Sequence, residues 1–161
     1  MTQQVSRTFP RRPRELVESM LSEDYQRTRS SRLGGTAMPT VVRDGDKATV
    51  RFPRRLPLES LPGPLRSLAG TGEITQVEKW ETISDDRCSA TWSSESSLPG
   101  KAGGTFEVVP EGDGTRWTVI ATVEVKVPLI GGRISKEAEA QVVKLIEAEM
   151  DLAEEYLASQ Q

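Results

Sequence analysis

The sequence predicts an α+β domain in which a curved antiparallel sheet of seven strands wraps a long C-terminal helix. Three observations predict it. Apolar residues recur at every second position through most of residues 41–127, in short runs parted by turn signals. They recur at intervals near 3.6 over residues 133–161, where no glycine or proline intervenes. Ahead of both lie one alternating run and two short helical ones, giving the order strand, two helices, six strands, helix.

Residues 3–9 set Val5, Arg7 and Phe9 on one face and Ser6 and Thr8 on the other, a short strand ended by Pro10. Pro13 suits the first turn of a helix, where a missing N–H costs nothing. Leu16, Val17, Met20 and Leu21 follow at helical spacing. Ser22 caps a second helix that opens on Glu23 and Asp24, carries Tyr25 and runs into Arg27, Arg29 and Arg32. Gly34-Gly35 ends it.

Val41-Val42-Arg43 then leads into Asp44-Gly45, a two-residue hairpin signal. The return strand puts Ala48, Val50 and Phe52 on one face. Residues 72–83 form the next strand, centred on Trp80. Cys88, Ala90 and Trp92 share a face after the turn at Ser84-Asp85-Asp86, and Phe106 and Val108 mark the strand beyond Pro99-Gly100. Following Glu111-Gly112-Asp113-Gly114 comes the clearest alternation, with Trp117, Val119, Ala121, Val123, Val125 and Val127 inward. Pro128 to Gly132 ends the sheet. Ile134, Ala138, Val142, Leu145, Ile146, Met150, Ala153, Tyr156 and Leu157 form the apolar stripe of the last helix, about seven turns and roughly 40 Å long. Glu137, Glu139, Lys144, Glu147, Glu149, Glu154 and Glu155 fill its polar gaps.

With 161 residues and no low-complexity linker, the chain reads as a single domain, 1–161. Short turns make successive strands antiparallel neighbours. Their common apolar face needs a cover, and only the last helix is large enough. One helix cannot fill the whole concavity of a curled sheet, so a ligand space between helix and sheet is expected.

Charge is uneven. Residues 1–55 hold twelve Lys/Arg against six Asp/Glu, whereas residues 101–161 hold six against eleven. The basic N-terminal part either meets the acidic C-terminal part of its own fold or makes weak contact, through Arg11, Arg12 and Arg14, with anionic surfaces. Nucleic acid is not an expected partner, because the basic stretch lacks interleaved aromatics beyond Phe9 and Tyr25. No run approaches the roughly 20 apolar residues of a membrane span, and Met1-Thr2-Gln3-Gln4 lacks a secretory apolar segment, so a cytoplasmic location is expected.

The chain contains no histidine and one cysteine, Cys88. That excludes Ser-His-Asp and Cys-His nucleophilic systems, histidine metal sites and an internal disulfide. Catalysis would fall to carboxylates, Lys or Tyr. Glu78, Glu81, Glu95 and Glu107 lie on strands and Tyr25 and Tyr156 on helices, yet no spacing singles out a pair. No catalytic residue, metal or cofactor is assigned. Gly131-Gly132 and Gly70-Thr71-Gly72 lack the pattern of a phosphate-binding or dinucleotide turn.

Six stretches stand out together: Phe9 through Leu21, Glu23-Asp24-Tyr25-Gln26-Arg27, Leu33-Gly34-Gly35, Leu61-Pro62-Gly63, Glu78-Lys79-Trp80 and Glu124 through Ile134. With the order of elements, they resemble the helix-grip fold of the START-like (SRPBCC) superfamily, and within it the domain-of-unknown-function 2505 family. The resemblance implies a deep hydrophobic cavity between sheet and C-terminal helix. Members of the superfamily bind lipids, sterols, polyketides or plant hormones, and a minority are enzymes. The closer family has no settled activity, so it transfers no functional residues.

Trp80, Trp92, Phe106, Trp117 and Met150 are the candidate ligand-lining residues, with plain core packing as the competing role, above all for Trp117. Leu58, Leu61, Leu65 and Leu68 have helical spacing, but Pro62 and Pro64 break the segment. It serves either as a gate over the cavity mouth or as a cover for the sheet edge. The expected function is non-enzymatic binding or carriage of an apolar, lipid-like molecule. The alternatives are an acid–base enzyme acting in the same cavity and a protein-interaction scaffold with a filled one.

Overall fold

Two hairpins fix the frame of the sheet. Gly45 and Gly112 adopt positive φ (61° and 58°) in two-residue loops, closing Asp44 on Lys47 and Glu111 on Gly114. The computed structural model describes residues 2–61, 63–68, 70–96, 100–125 and 131–160. Strand β1 (Thr2–Phe9) precedes helices α1 (Pro13–Leu21) and α2 (Glu23–Arg32). Strands β2 (Thr40–Asp44) and β3 (Lys47–Arg55) follow, then a short 3-10 turn (Leu58–Ser60) and helix α3 (Gly63–Leu68). Strands β4 (Glu73–Ile83), β5 (Cys88–Glu95), β6 (Gly100–Glu111) and β7 (Gly114–Val125) lead to helix α4 (Gly131–Ser159).

All neighbours are antiparallel, in the order β1-β7-β6-β5-β4-β3-β2. Successive strands pair as their short turns require, and β1 returns to the far side of β7. The register arranges the inward residues in rows. One row runs Ala48, Trp80, Ala90, Phe106, Val119 and Val5. The next runs Val50, Glu78, Trp92, Gly104 and Ala121. Beyond it, Phe52, Gln76 and Ser94 align.

One boundary differs from the sequence reading. The last helix already begins at Gly131, so Gly131-Gly132 form its first turn and not the preceding loop. Residues 126–130, including the expected strand end at Val127, lie outside the described residues. Strand β3 continues through Pro53 to Arg55. Its pairing with β2 stops at Arg51, so on that side the absent N–H of Pro53 costs no ladder bond, and period-two alternation carries Arg54 inward behind Phe52.

Helices α1 and α2 close one end of the concave face. Pro13, Leu16, Val17, Met20 and Leu21 of α1 are buried. Ser22 caps α2 by accepting from the Tyr25 N–H at 3.2 Å. The core beneath them joins Phe9, Leu16, Val17, Trp80, Val108, Trp117 and Met150. Helix α4 rests chiefly on β7 and β1, with further contacts to α2 and α3.

Candidate functional site

The far end of the concave face is not filled. Small inward residues (Ser94, Ala102, Gly104 and Ala121) stand where α1 and α2 no longer reach. Helix α4 leans on the β7–β1 side, so its inner stripe faces β3, β4 and β5 across a gap. The stripe is Ala138, Gln141, Val142, Leu145, Ile146 and Glu149, a strict one-face spacing. Val142, Leu145 and Ile146 stay only half-buried because nothing stands in front of them.

The gap is a cavity of about 190 Å³. A single water needs roughly 10–15 Å³, so the space exceeds a water or two by a wide margin. Its wall is overwhelmingly apolar, running from buried Phe106, Trp117 and Val119 to exposed Lys101 and Glu124 at the solvent end.

Three of the five candidate lining residues stand on this wall: Trp92, Phe106 and Trp117. Phe106 is their hub, with ring centroids 6.3 Å from Trp92 and 5.5 Å from Trp117. The other two lie elsewhere. Trp80 sits between Ala48 and Ala90 beneath α1 and α2, 5.7 Å from Phe106, and lines only a cleft of about 10 Å³ with Met20, Leu21 and Tyr25. Met150 is fully buried in the core and borders neither space, because one step beyond Glu149 turns it off the inner stripe.

The leucine segment divides as well. Leu61 lines the cavity together with Leu56 and Pro57. Leu58 does not, and packs instead against the backbone at Gly72. Pro62 and the side chains of Leu65 and Leu68 lie outside the described residues. The Arg66 guanidinium donates to the carbonyls of Leu58 (3.1 Å) and Leu61 (3.0 Å), bracing the loop from α3.

A buried charge cluster borders the cavity, and sequence reasoning missed it. Arg29, Glu78 and Glu149 are 2%, 4% and 8% exposed. The Arg29 guanidinium donates to Glu78 Oε2 at 2.5 Å and Oε1 at 3.2 Å, and its Nε donates to Glu149 Oε1 at 2.8 Å. Tyr25 donates its hydroxyl to Glu149 Oε2 at 2.6 Å, and Gln76 donates to Glu78 Oε2 at 2.7 Å. Every oxygen of both carboxylates is therefore engaged. Burial alone would lower the Arg29 pKa, but Glu149 and Glu78 outweigh it and hold it above its ordinary value. Burial, reinforced by the Glu149 charge, pushes the Tyr25 phenol well above 10.

Three signals bear on these residues. Glu149 follows Val142, Leu145 and Ile146 at helical spacing, so the apolar stripe itself carries it inward. Glu139, also expected in a polar gap, is 4% exposed and accepts from the Gln3 amide at 3.0 Å. The basic N-terminal part meets the acidic C-terminal part of its own fold: Arg7 pairs with Asp151 and Glu154, and Arg32 with Glu155. Arg11 donates to the Leu157 carbonyl, and Arg14 to Asp85 and the Ile83 carbonyl.

A seven-stranded antiparallel sheet curled around a C-terminal helix, with a cavity between them, is the helix-grip fold of the START-like proteins. The chain belongs to the family described as protein of unknown function DUF2505, whose profile matches residues 4–157. No curated protein sequence matches it. Among solved structures it is similar to TTHA0849 from Thermus thermophilus, at 20% identity over 100% of this chain and 99% of that one, with a TM-score of 0.66. The ZhuI aromatase/cyclase from Streptomyces sp. R1128 is similar at 12% identity, covering 100% and 97% of the two chains, with a TM-score of 0.61. These likenesses establish the fold. Among the described residues no helix is long and apolar enough to cross a membrane.

Proposed function

We propose that the protein binds an apolar small molecule in the cavity between sheet and α4, without chemical conversion. The observation that carries this reading is the half-buried apolar stripe Val142, Leu145 and Ile146 facing Phe106 and Val119 across about 190 Å³. Apolar side chains left short of partners gain from any ligand that covers them. Trp92, Phe106 and Trp117 would supply the aromatic wall. Leu56, Pro57 and Leu61 would border the entrance, with Leu61 as its movable edge.

A binding role also fits the state of Glu149, the buried carboxylate on the wall. Its two oxygens are engaged by Arg29 and Tyr25, which suits a structural partner better than a proton acceptor. One of the similar solved structures is an aromatase/cyclase, so the same fold supports enzymes on other chains.

Native mass spectrometry of freshly purified protein tests the proposal, paired with titration of an environment-sensitive apolar dye. A co-purifying apolar molecule, or saturable dye binding that Ile146→Glu abolishes, is expected. Empty protein that takes up neither dye, fatty acid nor sterol would leave the fold as a scaffold and end the binding reading.

A further inference from the structure

The cavity wall contains one buried charged group that, among the described residues, makes no salt bridge. Arg54 is 5% exposed, lies inward on β3 and lines the cavity. Its Nε is buried without a hydrogen-bond partner, and among the described residues no carboxylate pairs with its guanidinium. Its guanidinium carbon lies 5.2 Å from the centre of the Phe52 ring. The fold supplies Arg29 with two carboxylates and leaves Arg54 with none, because Glu78 and Glu149 are already saturated by Arg29, Tyr25 and Gln76. An arginine keeps its proton inside a protein, so the site holds a buried cation on which Glu149 and Glu78 act only at longer range, with no direct hydrogen-bonded partner among the described residues.

What this part of the wall lacks is a negatively charged acceptor within hydrogen-bonding reach of the Arg54 guanidinium. The remaining charges on the wall do not fill that role. Lys101 and Glu124 face each other at 4.0 Å at the exposed end, and Glu149 is bound to Arg29.

Resting on the binding reading above, we propose that the ligand is an amphipathic acid: an apolar body with one ionised carboxylate, anchored on Arg54. The carboxylate would accept from the Arg54 guanidinium, which presents a planar fork suited to two parallel bonds. The body would extend between Phe106 and the Val142–Ile146 stripe. Binding would then neutralise the cation and cover the apolar wall in one step.

The test uses matched pairs, decanoate with methyl decanoate and naphthoate with methyl naphthoate, titrated by calorimetry into the full chain and into Arg54→Met. In the wild type each acid binds more tightly than its ester. In Arg54→Met the acid weakens roughly 10- to 100-fold, the cost of one charge-assisted pair. The ester changes less than about twofold, a shift worth only a fraction of 1.4 kcal/mol. The preference between alkyl and aryl pairs reports which body fits. Acid and ester binding alike in the wild type, or an acid unaffected by Arg54→Met, overturns the anchor while the cavity reading stands. Failure of all four probes to bind overturns both. Should Arg54→Met not fold, the wild type alone decides by pH. The advantage of acid over ester must fall about tenfold per pH unit once the free carboxylate protonates, below about pH 4–5. Its persistence there sinks the proposal.

Discussion

Trp92 reaches over Gly104 to the next strand but one: its indole Nε1 donates to the Ile120 carbonyl of β7 at 3.1 Å, crossing β6 at a residue with no side chain. A Cβ at Gly104 would stand 1.8 Å from that carbonyl oxygen and 3.2 Å from the indole nitrogen. The glycine thus permits both the close approach of β7 and the pose of the Trp92 ring on the cavity wall. Gly104→Ala is expected to cost about 1–3 kcal/mol of stability. It should also shift tryptophan emission as the indole leaves its carbonyl. Urea denaturation with fluorescence detection checks both, and an unchanged midpoint would show that the strands yield without strain.

Arg29 neutralises two buried carboxylates at once. Arg29→Met should destabilise the protein by about 3–5 kcal/mol, because Glu78 and Glu149 are left buried and unpaired. The triple variant with Glu78→Gln and Glu149→Gln should recover a large part of that loss. Chemical denaturation of the single and triple variants separates an unpaired-charge penalty from mere loss of packing.

Leu61 and Leu58 lie three residues apart but do different work. Leu61→Ser is expected to change the rate of apolar dye uptake at a nearly constant melting temperature, since Leu61 lines the cavity. Leu58→Ser should lower stability by about 1–2 kcal/mol and leave uptake alone, because Leu58 packs on the Gly72 turn. Stopped-flow uptake beside thermal melts distinguishes the pair. Equal effects in both variants would mean that the segment is a cover and no gate.

The Tyr25 phenol gives stability an alkaline limit. Its pKa in the fold is raised above the ordinary 10 by burial and by Glu149, with Arg29 opposing and Glu78 adding a little. A raised pKa means that the contribution is complete below about pH 10 and is lost as pH climbs toward the folded value. The stability difference between wild type and Tyr25→Phe should therefore be flat from neutral pH to about 10 and shrink above it. Melting curves across that range check the sign.

Cys88 is fully buried on β5, and burial pushes its thiol up from 9.0. Alkylation by a thiol reagent is expected to be slow in the native protein and fast in denaturant. Rapid labelling without denaturant would reveal local opening of the β4–β5 hairpin.

The architecture was legible because both periodicities are long and their turn residues specific. Asp44-Gly45, Glu111-Gly112-Asp113-Gly114 and the alternation around Trp117 lead directly to strand pairing. The aromatic wall was legible in part: Trp92, Phe106 and Trp117 follow from inward alternation, while Trp80 depends on where α1 and α2 end. The polar half of the site was not. Arg54 went unnoticed because the inward alternation was followed only as far as Phe52, although period two points the next inward position at Arg54. Glu149 looks like a gap-filler until its spacing from Leu145 and Ile146 is counted, and Arg29 looks like surface charge until its partners are known. Buried ion pairs defeat composition-based reading because a charge implies solvent only when no opposite charge waits inside.

The pairing of Thr2 with Thr122 and Phe9 with Thr115 joins the start of the chain to its seventh strand. A ribosome therefore releases the opening segment long before its hydrogen-bonding mate exists. That segment must wait, unpaired, for more than a hundred residues of synthesis, and α4 cannot settle on a completed sheet until it has docked. The cavity beneath α4 therefore depends on a pairing between segments far apart in the chain, and removing β1 is expected to lose it.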